Sequence, residues 1–475
     1  MMSHDPCLRE PRSLFATPSA DPDGRSLSRA ASQSLAERIF ALMTGGGTST
    51  VGIESRWRNN VRWARNDIAT GGDTEQTTIE LTRVIRGASG NASTNATADD
   101  ALRACVGRAE SLLMLGDESP DDYPDPLPTV HPHTEPTLWF GDTAAMRDMT
   151  LSAVADASIT PAHTVQLWAA GYADAAANSR AVFNTQGLTR YYAYTTAQCS
   201  ITVRDPHGHG SGWAGVDWND WSRVQPERLA QIALEKCIRS RNPVAIEPGR
   251  YTAILEPQAV CDLVAPLVER ALRRGDAESE SGPFADPRRG GYSRIGQRVI
   301  DPRLTLSADP MDPECGIVPF NVNGEPYQAV KWIDQGVLRE LWYDREYGLR
   351  QLGKDFALPN SEAFRLSSAT RTNTIDEMIA NTTRGILVTR FNNVDLLDFN
   401  SMLATGNTRD GIWLIEHGKI VKPVKNFRFT ESPMFILNNV EMVGAPQRVF
   451  RPLAPAVVPA LMVRDFSFTG VVDAV

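Results

Sequence analysis

The stretch YTAILEPQAVCDLVAPLVERALRR, from Tyr251 to Arg274, runs from an extended apolar segment into a helical pattern. A strand feeding a helix is a common mount for catalytic side chains. Between Gln258 and Glu269 the helix offers one cysteine, Cys261, and two carboxylates, Asp262 and Glu269, but no histidine. Cys261 could act as a nucleophile only with an imidazole brought from elsewhere in the chain. Inside an apolar helix the ordinary use of such a cysteine is packing.

Other candidates are few. His207 and His209, in RDPHGHGSGWAG, could chelate a metal with a carboxylate, although two histidines around one glycine ordinarily make a polar loop. His131 and His133 flank Pro132 in an acidic, proline-rich run and read as a solvated loop. His417 falls at a hairpin turn, and His163 precedes a strand with no carboxylate signature nearby. GHGSGWAG is not GxGxxG after a strand, and GxxxxGK[ST] is absent, so nucleotide binding has no support. Trp57, Trp63, Trp213, Trp218 and Trp221 could suggest an aromatic binding surface. Trp57 and Trp63 lie in strand-like runs, where half-buried packing is the ordinary use.

The chain that must position these groups has 475 residues, 42% hydrophobic and 22% charged, which implies a globular protein of more than one domain. A net charge of -9 argues against a sequence-independent grip on nucleic acid. Six scattered cysteines without CxxC spacing suggest reduced thiols, neither a zinc knot nor a disulfide framework. No run is long and apolar enough for a membrane helix, and the N-terminus lacks the apolar core of a signal peptide, so cytoplasm is the expectation.

The patterning predicts a flexible leader over residues 1–34 and a first helix capped by Ser34 and Glu37, with Leu35, Ile39, Phe40 and Met43 on one face. Strand-like runs follow, with a turn signal at Asn59-Asn60. Thr97 reads as the N-cap of a helix burying Leu102, Cys105, Val106, Ala109 and Leu113. Residues 116–136 read as a surface excursion, Thr150 to Ala157 as a helix, and HTVQLWAAGY as a strand. A helix over Glu227 to Ile238 presents Leu229, Ile232, Ala233 and Cys237. A boundary near Arg241 then separates region 35–240 from a strand-dominated region 241–475. There, turns are expected at Asn323-Gly324, Gln335-Gly336 and His417-Gly418, and Thr374 with Glu377 opens a helix that Gly385 would close. Strands and helices mix without a βαβ beat, so the fold class is α+β.

The joint order of several runs resembles the TldD/PmbA family, the so-called modulators of DNA gyrase. They include VRWARNDIATGGDTEQTTIELTRVIRG, FNTQGLTRYYAYTTAQCSITV, GHGSGWAGVDWNDW and IEPGRYTAILEP. PFNVNGEPYQAVKWIDQGVLRELWYDRE, TRGILVTRF and DGIWLIEHGKIVKPVKNFRF complete the series. The likeness spans roughly Leu35 to Val475. It implies a two-domain fold, with a mixed N-terminal domain and a strand-dominated C-terminal domain. It also implies kinship with zinc peptidases in which a helix carries HExxxH and a cysteine near the C-terminus completes the site. PmbA-like (TldE) members share the fold, lack those ligands, and pair with TldD around a chamber for unfolded or disordered peptides.

Here the segment following IEPGRYTAIL has no imidazole, and the sequence after Val443 has no cysteine, so no catalytic or metal-binding residue carries over. Zinc catalysis needs three protein ligands and an open position for water. The expectation is a TldE-like non-catalytic subunit without a cofactor of its own, zinc belonging to a TldD-like partner. Two alternatives remain: an active metallopeptidase with a displaced site, as at His207 and His209, and a non-enzymatic homodimeric scaffold.

Overall fold

The computed structural model describes residues 24–115, 135–146, 148–370, 372–452 and 454–472. The beginning of the leader, Cys7, His131 and His133 lie outside the described residues.

The first helix, α1 (Arg29–Leu42), starts five residues before the expected Ser34. Ser28 caps it instead, its hydroxyl accepting from the Ala31 N–H, so Ser34 is interior to a helix that includes the end of the expected leader. Three antiparallel strands follow: β1 (Thr48–Ala64), β2 (Asp67–Ile85) and β3 (Ala88–Thr94). Asn59-Asn60 is not a turn. β1 alternates straight through it, and the reversal comes at Arg65-Asn66, both at positive φ as a two-residue hairpin of the I′ type requires.

Helix α2 (Asp99–Leu113) buries the five residues expected of it. Its N-cap is Ala98, one residue after the expected Thr97 and without a side-chain cap; the Thr97 carbonyl accepts from Arg38. Helix α3 (Asp148–Thr164) runs a full two turns beyond Ala157, so His163 ends a helix, and β4 (Trp168–Asn184) starts only after it. Then come β5 (Thr189–Arg204), β6 (Ser211–Trp218) and α4 (Pro226–Arg239).

These strands form one antiparallel sheet, in the order β3-β2-β1-β4-β5-β6. Its pleat divides the side chains between two faces. One face is covered by all four helices. Leu35, Ile39, Leu102 and Val106 pack on Val51, Ile53, Ile79 and Leu81, while Leu151, Leu229 and Ala233 pack on Trp63, Ala173 and Ile201. The glycines of GHGSGWAG serve this packing: a Cβ on Gly210 would sit 2.7 Å from the Cys237 carbonyl oxygen, and one on Gly212 would collide with the α4 backbone. The other face carries Arg56 and Arg58 on β1, Asp174, Asn178 and Arg180 on β4, and Tyr194, Thr196 and Gln198 on β5.

After the connector, β7 (Gly249–Leu255) leads into α5 (Pro257–Pro266). Pro266 supplies no N–H, and the chain continues as a wide π turn over Leu267–Ala271. A second sheet runs β10-β9-β8-β11-β18-β17, built from β8 (Leu304–Ala308), β9 (Val330–Asp334), β10 (Val337–Leu338), β11 (Phe364–Ser368), β17 (Gln447–Val449) and β18 (Ala456–Val458). The Gln335-Gly336 turn joins β9 to β10, with both residues at positive φ.

Helix α6 (Ile375–Ala380) shows the expected Thr374–Glu377 capping box. Gly385 does not close it. Asn381 is the C-cap, and Gly385 lies in β12 (Arg384–Asp398), where a Cβ would come within 2.6 Å of the Thr252 carbonyl oxygen. The third sheet adds β13 (Leu403–Glu416), β14 (Lys419–Pro423), β15 (Phe427–Glu431), β16 (Val440–Val443) and β19 (Leu461–Val471). Pairings β12–β7, β7–β19, β19–β15, β15–β13 and β13–β12 close a ring of strands. Phe391, Phe429 and Phe466 stack in its core, with Phe391 and Phe429 centroids 4.5 Å apart. The whole is a strand-rich α+β architecture.

Candidate functional site at the junction of the sheets

Helix α5 is apolar nearly all round. Val260, Leu263, Val264, Leu267 and Val268 share one core with Leu306, Trp332 and Phe364 of the second sheet and with Ile386, Val388 and Phe391 of the third. A helix buried between two sheets has little room for catalytic side chains unless they reach a cavity. Cys261 is only 2% exposed, and burial pushes its thiol well up from the ordinary range, so it is packed and protonated.

The polar residues of this segment all have partners. The Asp262 carboxylate accepts from Gln258 Nε2 at 2.9 Å and from the Phe391 N–H at 2.8 Å. Burial pushes its carboxyl up to about 6, opposed by those two hydrogen bonds. Gln258 also pairs with the Phe450 backbone, accepting its N–H at 3.0 Å and donating to its carbonyl at 3.3 Å. Glu269 receives Arg451 Nη2 at 2.6 Å. The Arg451 N–H donates to Asp217 at 2.6 Å, and Arg448 pairs with that same buried carboxylate at 2.7 Å. The segment expected to mount chemistry therefore fastens the first sheet to the second and third.

Trp213 joins the same junction, edge-on to Phe450 with centroids 5.8 Å apart and Arg390 over its ring. Trp57 and Trp63 are buried, and the Trp63 indole donates to Ser158. Trp218 lies between Arg223 and Arg448.

His207, His163 and His417 are exposed and lie on separate elements. His209 borders a cavity of about 470 Å³ that also includes Ser211, Ser240, Asn242, Lys425 and Asn426, and among the described residues no acidic or cysteine side chain lines it. Among the described residues no three His, Cys, Asp or Glu side chains gather as a metal ion would need. The groups present around α5 do not fit a catalytic zinc, since Cys261 points into the core and both carboxylates are engaged. The other described cysteines, Cys105, Cys199, Cys237 and Cys315, are buried and unbridged, and burial raises Cys199, Cys237 and Cys315 to about 12.

The larger cleft is elsewhere. Between the uncovered face of the first sheet and the segments around Ile317 and Pro452 lies a cavity of about 490 Å³. Its floor includes Arg56, Arg58, Asp174, Asn178, Arg180, Tyr194 and Gln198, and Asp217 ties it to the α5 junction. Asp174 is fully buried; one carboxylate oxygen takes the Tyr172 hydroxyl at 2.8 Å and Gln198 Nε2 at 2.7 Å. Burial and this negative neighbour push the Tyr172 phenol well up. Sequence reading missed the floor. Its signal was present in β1 as the outward series Glu54, Arg56, Arg58, which alternates with buried Ile53, Ser55 and Trp57.

The fold and the site define a class: a strand-rich α+β scaffold of three sheets in which helix α5 is used as a structural fastener. The model of the PmbA/TldA metallopeptidase C-terminal domain matches residues 248–470, and that of PmbA/TldA metallopeptidase domain 1 matches residues 50–113. Together these matches span more than half of the sequence. The chain belongs to the TldD/PmbA family.

Among solved structures it resembles TldE from Thermococcus kodakarensis, with a TM-score of 0.78 at 14% identity over 92% of this chain and 100% of that one. It also resembles a Thermotoga maritima protein provisionally described as a modulator of a DNA gyrase, with a TM-score of 0.75 at 15% identity over 92% and 99% of the two chains. A Bacteroides thetaiotaomicron protein with the same provisional description matches at a TM-score of 0.75 and 17% identity, over 92% and 98%. No curated protein sequence matches significantly. Among the described residues no helix is long and apolar enough to cross a membrane.

Proposed function

We propose that the chain is a non-catalytic, TldE-like subunit that shapes a peptide-binding chamber beside a TldD-like zinc peptidase. The observation that carries this reading is the use of the motif helix: Gln258, Asp262 and Glu269 are all spent on holding Phe450, Phe391 and Arg451, and Cys261 is in the core. A catalytic zinc site keeps three ligands converged on an open position, and this helix offers no such set. The likeness to a structure named TldE supports the same subtype. Extended peptides can bind such a strand-rich body through main-chain hydrogen bonds at strand edges, with little sequence preference.

The test is light scattering of the purified chain alone and mixed with an HExxxH-bearing family member from the same cell. The mixture should run at the mass of a heterodimer and hydrolyse unfolded peptide in a zinc-dependent way. An unchanged mass on mixing would favour the homodimeric scaffold and count against the proposal.

A further inference from the structure

The cleft over the uncovered face of the first sheet holds two charged groups that the fold leaves incompletely satisfied. Asp174 uses one oxygen for Tyr172 and Gln198, while its Oδ1 is buried and has no hydrogen-bond partner among the described residues. Arg56 approaches Asp174 at only 3.9 Å and is nearly half exposed, so it does not supply the missing bond. Arg58 makes no ion pair among the described residues, and its Nε is likewise buried without a partner. Buried polar atoms without partners are uncommon, and each costs stability unless something outside the chain completes it.

The two groups lie side by side. Asp174 faces Asn60 and Arg58 faces Ala176, so they are diagonal neighbours on one face of the β1–β4 pair, about 7–8 Å apart at the backbone. The rest of the lining is mixed, with apolar Ile317, Val318, Val322, Pro452 and Pro455 beside polar Asn360, Ser361, Glu362 and Arg448. The volume of about 490 Å³ is within the range of small-molecule sites.

A ligand completing this floor must give a hydrogen to Asp174 and negative charge to Arg58 from neighbouring atoms, and an apolar group on it can rest on Ile317, Val322 and Pro452. We propose that the cleft is a binding site for an α-carboxylate with its adjacent α-nitrogen: the carboxyl-terminal residue of a peptide, or a free amino acid, with an apolar side chain. The carboxylate pairs with Arg58, the nitrogen donates to Asp174 Oδ1, and the side chain rests on Ile317, Val322 and Pro452. This assignment does not depend on a peptidase partner, so it can fail while the subunit reading stands, and the reverse.

Isothermal titration of the full chain tests it, with the tripeptide Ala-Ala-Leu, the same tripeptide as its C-terminal amide, and free leucine. The acid should bind, and the amide should bind about tenfold or more weakly, the expected loss of one charge-assisted pair. Arg58→Gln should weaken the acid by a similar factor and leave the amide nearly unchanged, and Asp174→Asn should weaken both. Leucine binding as tightly as the tripeptide assigns the site to free amino acids, and weaker binding assigns it to peptide ends. Equal affinity for acid and amide, or no binding of any probe at millimolar concentration by a folded chain, would overturn the proposal.

Discussion

Helix α5 with its π turn and the helix-free face of the first sheet both carry acidic groups, yet they treat them in opposite ways. On the helix, Asp262 and Glu269 are matched within the chain, by Gln258, the Phe391 N–H and Arg451. On the sheet, Asp174 keeps an oxygen that no described residue reaches. Helix α5 spends its polar side chains within the chain, and the proposed binding site lies on the sheet.

The largest expected effect is on the structural side. Arg448 and Asp217 are both nearly buried, and Arg448 also donates to the Glu314 carbonyl at 2.6 Å. Arg448→Ala leaves Asp217 with one fewer cation and should cost about 3–5 kcal/mol in chemical denaturation. A loss below about 1 kcal/mol would show that the junction does not depend on this pair.

A middle-sized effect is expected in pH dependence. The Asp262 carboxyl is raised in the folded chain, to about 6 from 3.8. A raised acid contributes stability below its unfolded value, and that contribution is lost as pH rises through the folded value. Between pH 7.5 and pH 4 the stability of the wild type relative to Asp262→Asn should therefore improve, by on the order of 2 kcal/mol. A difference that is flat over that window, or that runs the other way, would remove Asp262 from the buried, internally matched class.

The smallest effect sharpens the contrast. Asp174→Asn keeps an acceptor for the Tyr172 hydroxyl and removes an under-satisfied buried charge, so without ligand its stability should change by less than about 1 kcal/mol. A loss as large as that of Arg448→Ala would make Asp174 a structural residue and erase the distinction between the two regions.

Much of this was legible in the sequence because it is local. The stripe Leu102, Cys105, Val106, Ala109, Leu113, the Thr374–Glu377 capping box and the His417-Gly418 hairpin follow from periodicity and turn chemistry alone. Errors arose where tertiary contacts outweigh a local signal. Asn59-Asn60 reads as a turn but lies within a strand paired on both sides, where Asn60 Nδ2 reaches the Gly72 carbonyl at 2.9 Å. Gly385 reads as a helix stop but is required by the close approach of β7. That the motif helix lacks imidazole was plain from the residues themselves. What its remaining polar side chains do was not, because Phe391, Phe450 and Arg451 meet them from far along the chain, the nearest 129 residues on. The cleft floor was hidden for the same reason, since Arg58 and Asp174 become neighbours only through the β1–β4 register.

The account is tested most directly by measuring zinc and peptide hydrolysis on the isolated full-length chain, purified without chelator and then loaded with zinc and dialysed. It predicts substoichiometric metal and no hydrolysis of unfolded peptide until an HExxxH-bearing partner is added. Stoichiometric zinc that survives dialysis, supports hydrolysis by the chain alone and is lost on Asp262→Ala would contradict it.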